Sequence, residues 1–339
     1  AAGDISPNDR WNWRRWLVVG RGETDHESAL INGRIQADGA LKASENAAVI
    51  DGPIHAAMRR VDFNELPVPP RFALGNEGQR TSIGKLGLPM AGGTAEGPGP
   101  IRPLVPLVRL FSAGRSLVHR LSRRAGDNKL TFVEVGAGDT GKLLGIFPMR
   151  KAINIVARFE PMISWVKGAN DAGFFGDMSW TPHVVPLQLI RIGPVVIAAL
   201  PVEPTTVSGS RMRAVLKDAL AKDALLKRGL SDCSRVIING YCNAYTGYAT
   251  TPEEYGWQRY ESGYTLFGPW TLGAYCHELE KFVASWESVQ ASDPVEGPAE
   301  DPFDMEFLIQ QRVTGRQGVA KHRGAGLTVP RLAGTRSDA

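Results

Sequence analysis

The apolar positions change period several times along the chain, and each change marks an element. The pattern is clearest between residues 184 and 241. Residues 185–192 and 195–200 are β-rich runs broken by Gly193-Pro194, which predicts a hairpin. Thr205 or Thr206 can cap a helix whose inward stripe is Met212, Val215, Leu216, Ala219 and Leu220. Val236-Ile237-Ile238 then reads as a short buried strand. This β-β-α-β order predicts an α/β architecture, with Glu203 and the loop at 243–248 both leaving the carboxyl ends of strands. Ligands and catalytic groups collect at that edge of such sheets.

Thr251-Pro252-Glu253-Glu254 sets a capping Thr, a first-turn Pro and a capping-box Glu in order, predicting a helix that carries Tyr255, Trp257 and Tyr260. Gly268-Pro269 ends it, and a further amphipathic helix is expected over 270–288. Earlier in the chain, residues 27–45 read as an Ala-rich helix and 61–98 as loops and short strands punctuated by Gly and Pro. Over 104–124, Leu107, Leu110, Phe111, Leu117, Val118 and Leu121 fall at helical spacing, opposite Arg109, Arg115, Arg120, Arg123 and Arg124. A surface helix with solvated arginines is the plain reading, and a helix lying on a membrane the alternative. Beyond residue 288 the chain turns polar and Pro/Gly-rich, with one short helix expected near 304–311 before a basic, disordered tail.

Composition narrows the classes. With 339 residues, 43% of them hydrophobic, the chain can bury a sizeable core. No apolar run is long enough to span a bilayer. Thirty-nine Lys and Arg against 35 Asp and Glu leave a diffuse net +4, well short of a nucleic-acid footprint. Cys233, Cys242 and Cys276 form neither a disulfide framework nor a CxxC pair, so buried thiols are expected. The opening Ala-Ala-Gly-Asp is no signal peptide and suggests a fragment or processed chain.

One motif suggests a different class. Leu130-Thr131-Phe132-Val133-Glu134-Val135 followed by Gly136-Ala137-Gly138-Asp139-Thr140-Gly141 could open a nucleotide- or S-adenosylmethionine-binding turn, with Glu160 near the place of a ribose contact. The motif stands alone, without the helix-strand alternation that should follow it.

Four segments, in order, resemble the neutral/alkaline, non-lysosomal ceramidase family. They are Gly3-Asp4-Ile5-Ser6-Pro7-Asn8; the loop Gly92-Gly93-Thr94-Ala95-Glu96-Gly97-Pro98-Gly99; the run from Val185 through Pro201-Val202-Glu203-Pro204-Thr205-Thr206-Val207-Ser208-Gly209; and the stretch from Asn239 through Tyr245-Thr246-Gly247-Tyr248 to Leu272. Together they cover residues 3–285 patchily. The resemblance implies stacked mixed β-sheets flanked by helices, with residues 1–290 as the later part of a catalytic domain and 291–339 as a tail. It implies zinc-dependent hydrolysis of the amide bond of ceramide or a related N-acyl sphingoid lipid, at or near a membrane surface. A secreted, periplasmic or outer-surface location follows from the same resemblance.

By that resemblance Ser6 lies in the catalytic centre, either attacking the carbonyl or holding a zinc-bound water. Glu203 and Tyr248 are zinc ligands, and Tyr260 turns its hydroxyl to the developing oxyanion. Read without it, Ser6 is a turn or cap residue, Glu203 a structural carboxylate at a helix start, and Tyr248 a packed aromatic. His26, His55, His119, His183, His277 and His322 show no HxH or HExxH spacing and match no family ligand, so half of a zinc site is expected in this chain. A module that binds lipid or protein without turnover is the alternative. Trp11, Trp13 and Trp16, and residues 143–149, are potential lipid contacts for which packing is the plainer expectation.

Overall fold

The computed structural model describes residues 6–14, 17–94, 127–136, 142–143, 147–148, 181–225 and 235–286, with scattered positions between 106 and 117. The long hydrophobic runs form a mixed four-stranded sheet in the order β11-β9-β8-β3. Its strands are β3 (Ile54–Asp62), β8 (Val184–Ile192), β9 (Val195–Ala199) and β11 (Arg235–Asn239). β8 and β9 form the expected hairpin, which turns at Gly193 with φ 53°. A side chain there would meet the Asp51 carbonyl oxygen at 2.3 Å. β11 joins β9 in parallel. β3 pairs with β8 over nine residues and lies in a stretch whose strand character the sequence reading missed.

A second, antiparallel sheet runs β4-β5-β6-β7: β4 (Lys85–Gly87), β5 (Thr131–Glu134), β6 (Lys142–Leu143) and β7 (Phe147–Pro148). This overturns the nucleotide-binding reading. β5 pairs antiparallel with β6, and only seven residues separate the two strands. A parallel crossover needs a dozen or more residues.

Two long helices pack against each other on the first sheet: α2 (Thr206–Leu225) and α5 (Thr271–Ser285). Thr205 caps α2 through the Ser208 N–H at 3.2 Å, and the stripe arrives as expected, with Met212 and Leu216 fully buried. α5 contributes Leu272, Tyr275, Leu279, Phe282 and Val283 to the same core, which also holds Val133 and Val135 from the β5 region. The helix expected from Pro252 to Gly268 is instead two single turns, α3 (Pro252–Tyr255) and α4 (Tyr260–Gly263). The Thr251–Glu254 capping box forms as read, but Gln258 adopts φ 48°, which breaks the helix between the two turns.

The N-terminal region is different. β1 (Arg10–Asn12) and β2 (Leu17–Val19) form a small hairpin, and α1 (Asp25–Glu45), capped by Thr24, buries none of its residues. Trp11 and Trp13 lie 42% and 74% exposed, edge to face at 5.9 Å, so the packing expected of them is not what the structure shows. Described positions in the 104–124 stretch are helical, and Leu107, Leu110, Phe111 and Leu117 are exposed. Cys276 is buried and reduced, its thiol pushed up to about 12 by burial, and Cys242 is half-buried. No helix among the described residues is long and apolar enough to cross a membrane. Trp16, Cys233, Glu160 and residues 287–339, with the tail expected there, lie outside the described residues.

Candidate active site

The chain leaves β9 and β11, two parallel neighbours, and both exits turn into a second, two-stranded ladder. β10 (Glu203–Pro204) and β12 (Tyr248–Ala249) pair in parallel with Glu203 opposite Tyr248. The loop between β11 and β12 is tied to the segment after β9 along its length. Leu200 N–H donates to Asn239 O at 2.9 Å, Cys242 N–H to Leu200 O at 3.0 Å, and Thr246 N–H to Pro201 O at 2.8 Å. Tyr241 and Asn243 hold positive φ within it (59° and 62°), the bend that brings Tyr245 and Tyr248 back over Glu203.

A third segment extends the ladder. Glu203 N–H donates to Gly247 O at 2.9 Å, and Tyr248 N–H donates to Tyr264 O at 3.1 Å. Gly247 pairs with Thr265. Glycine is required at 247, where φ is 72° and a Cβ would lie 2.3 Å from Tyr264 O.

The structure thus brings together three of the four residues expected to form the site. Glu203 and Tyr248 are 5% and 4% exposed. The Tyr260 ring meets that of Tyr248 edge to face at 5.9 Å, and Tyr264 lies 5.9 Å from both Tyr245 and Tyr248. Burial, with the neighbouring Tyr260 and the Glu203 carboxylate, pushes the Tyr264 hydroxyl above its ordinary pKa. The helix start also binds to this group. Thr205 donates to Glu254 Oε2 at 2.7 Å, and Glu254 accepts the Thr251 N–H at 2.8 Å.

Tyr245 is the member that the sequence reading missed. Its hydroxyl donates directly to Glu203 Oε1, and burial followed by that hydrogen bond holds it protonated far above the usual tyrosine range. The other ring face of the loop carries Tyr241, stacked on Tyr245 at 6.0 Å with 2° between planes. The signal was the first Tyr of Tyr245-Thr246-Gly247-Tyr248, but spacing alone does not show that its hydroxyl reaches Glu203.

Ser6 sits elsewhere in its contacts. Its hydroxyl accepts the Asn8 N–H at 3.1 Å, a local turn. Beside it Pro7 and Asn8 border a cleft of about 610 Å³, whose other walls are β2 and α1, Val19, Ser28 and Ile35 among them. Neither Glu203, Tyr248 nor Tyr260 lines that cleft.

Glu203 and Tyr248 offer a carboxylate and a phenol, hard oxygen donors of a kind zinc accepts. Among the described residues no group of three or more His, Cys, Asp or Glu gathers to hold a metal. His55 stacks on Trp286, His183 pairs with Asp62, and His277 lies against Phe72, the packed and surface roles expected of them.

A buried carboxylate is aligned by strand register with a phenol at the exit of parallel strands, in an α/β protein. The comparisons make the class specific. Residues 171–277, which include Glu203, Tyr248 and Tyr260 but not Ser6, match the family model described as neutral/alkaline non-lysosomal ceramidase, N-terminal. The chain is 30% identical over 304 residues to the neutral ceramidase of Pseudomonas aeruginosa, covering 89% of this chain and 38% of that protein. It is 30% identical over 273 residues to neutral ceramidase A of Dictyostelium discoideum, covering 79% and 32%. A solved structure titled "Ceramidase complexed with C2" superposes with a TM-score of 0.56 at 24% identity, over 85% of this chain and 38% of that one. The chain is similar to neutral/alkaline ceramidases over most of its own length, and it spans less than two-fifths of the length of these relatives.

Proposed function

We propose that this chain carries the carboxylate–tyrosine half of a ceramidase active centre, which hydrolyses the amide bond of an N-acyl sphingoid lipid to a sphingoid base and a fatty acid. The observation that supports it best is the Glu203–Tyr248 register with Tyr260 against Tyr248, inside the segment that matches the family model. The names of the relatives supply the substrate class.

In this reading Glu203 and Tyr248 hold a zinc ion together with ligands from beyond the described residues. When bound, the metal polarises the amide carbonyl and lowers the pKa of a coordinated nucleophile. The chain's own residues do the rest. Tyr245 orients the Glu203 carboxylate by donating to Oε1. Tyr260, carried at the first position of α4, supplies a hydroxyl that donates to the developing oxyanion. Ser6 either attacks the carbonyl or holds the attacking water, and in both cases it must meet the Glu203 group from its separate turn. The enzyme works at a membrane surface outside the cytoplasm, where its lipid substrate is presented.

The test measures fatty-acid release from ceramide and zinc content on two proteins. One is the chain alone; the other is the chain joined to the region that precedes the corresponding segment in the Pseudomonas aeruginosa relative. Release and about one zinc per chain, both lost in Glu203→Ala, support the reading. Lipid binding without release in either protein replaces it with a non-catalytic binding module.

A further inference from the structure

Below the site, three consecutive residues reach from the start of β5 into the segment that carries Tyr260 and Tyr264. Asp127 Oδ1 accepts the Tyr255 hydroxyl at 2.5 Å and the Lys129 N–H at 2.9 Å. Asn128 Nδ2 donates to Gly256 O at 3.2 Å, while its Oδ1 accepts from Gln258 Nε2 at 3.3 Å. Lys129, only 6% exposed, sends its amine to two backbone carbonyls, Lys85 O at 2.8 Å and Thr265 O at 2.5 Å. The Nζ also lies 5.4 Å from the centre of the Tyr255 ring. Packing leaves no slack here: a Cβ on Gly87 would lie 2.8 Å from Gly263 Cα and 3.2 Å from Lys129 Cγ.

A buried lysine is costly, because its charged form loses hydration. Burial draws this amine down to about 7, with Asp127 opposing the fall and Lys85 adding to it. An alkyl side chain would avoid that cost, but it would leave the Lys85 and Thr265 carbonyls without this donor, and Thr265 is fully buried. What the amine grips is the outer rung of the ladder. Thr265 pairs with Gly247, Tyr264 O accepts the Tyr248 N–H, and Gly247 O accepts the Glu203 N–H. On the other side Lys85 N–H donates to Leu266 O at 3.0 Å.

We propose that Lys129 is a positioning residue for this centre: by clamping Thr265 to Lys85 it fixes the rung that sets Tyr248 opposite Glu203 and Tyr260 against Tyr248. The clamp itself stands on contacts; its catalytic consequence rests on the function proposed above.

Amide hydrogen exchange on the full chain tests it, comparing wild type with Lys129→Met and with Leu216→Ala, a core truncation in α2 away from the ladder. In Lys129→Met the Tyr248 and Lys85 amides should exchange about tenfold faster while those of β8 and β9 keep wild-type rates. Leu216→Ala should instead accelerate the β8 and β9 amides. Wild-type rates at Tyr248 and Lys85 in Lys129→Met, or equal acceleration everywhere, overturns the proposal. If Lys129→Met does not fold, Lys129→Gln is read at the same amides by the same criterion. In the form that hydrolyses ceramide, kcat should fall about tenfold with KM changed less than about threefold, and a fall no larger than that of Leu216→Ala overturns the catalytic consequence. If wild type hydrolyses no ceramide in any form, the proposed reaction fails, and the exchange pattern still decides whether Lys129 holds the rung.

Discussion

The ladder around Glu203 and the hairpin that follows Ser6 are held by different forces. Glu203 and Tyr248 lie at the exits of two parallel strands whose inner faces, with α2 and α5, form a continuous hydrophobic core. Their positions follow from the burial of residues such as Leu187, Leu189, Leu216 and Tyr275, none more than 0% exposed. Among the described residues, Ser6 makes one hydrogen bond, within its own turn, beside a helix none of whose residues is fully buried. The difference teaches which half of the site is pre-organised. The carboxylate–tyrosine geometry is an outcome of core packing, so it exists before any substrate or metal arrives. The serine's relation to that geometry has to come from contacts outside its own turn.

The largest effect should separate the two regions by chemistry. Glu203→Gln is expected to lower ceramide hydrolysis on the order of 10²–10³-fold with unchanged far-UV circular dichroism, measured by fatty-acid release in the active form. Ser6→Ala should cause a comparable loss with little change in the melting temperature, since its described bond is a part-buried bond within a local turn. Retained activity in Ser6→Ala would remove the serine from the centre and leave the ladder alone as the site.

Stability should separate them next. Leu216→Ala, in the fully buried stripe of α2, should cost about 2–5 kcal/mol in urea unfolding. Ile35→Ala, on α1 and 50% exposed, should cost about 0.5 kcal/mol or less. A large loss at Ile35 would show that α1 packs on something and would break the comparison.

Lys129 gives a pH dependence confined to the ladder side. Its amine is lowered from 10.5 to about 7, facing Asp127, Lys85 and Tyr255. Above pH 7 the unfolded chain still binds the proton and the folded chain does not, so unfolding takes up a proton and stability rises with pH through this group. Below pH 7 both states are protonated and the slope vanishes. Between pH 7 and 9 wild type should gain up to about 1.4 kcal/mol per pH unit relative to Lys129→Met. A difference that stays flat or falls with pH means that the amine remains charged in the fold.

Tyr245→Phe should cause about a tenfold loss of hydrolysis at nearly constant stability, because it removes one hydrogen bond to a carboxylate from a partly exposed ring. Hydrolysis equal to wild type would mean that register alone orients Glu203.

Much of this was legible in the chain itself. The β8–β9 hairpin, the Thr205 cap, the α2 stripe and the Thr251–Glu254 capping box are all encoded within windows shorter than about twenty residues, where period and side-chain chemistry act directly. The positions of Glu203 and Tyr248 at strand exits followed from the same local patterns and from the family's motifs, and the place of Tyr260 in a helical turn from the capping signal before it. Other features rest on partners distant in sequence. β3 is a strand because β8 lies beside it 130 residues later, although its alternation is weak. The break between α3 and α4 comes with Tyr255 turned down to Asp127, 128 residues away. Tyr245 reaches Glu203 because Tyr241 and Asn243 bend the loop through positive φ, a path that ring spacing does not carry. Lys129, an ordinary lysine before a strand when read alone, becomes a clamp only when β4 and Thr265 close over it. Local order is written in periodicity because hydrophobic burial acts residue by residue; which polar groups meet is settled only once the core has closed and every buried donor and acceptor must find a partner.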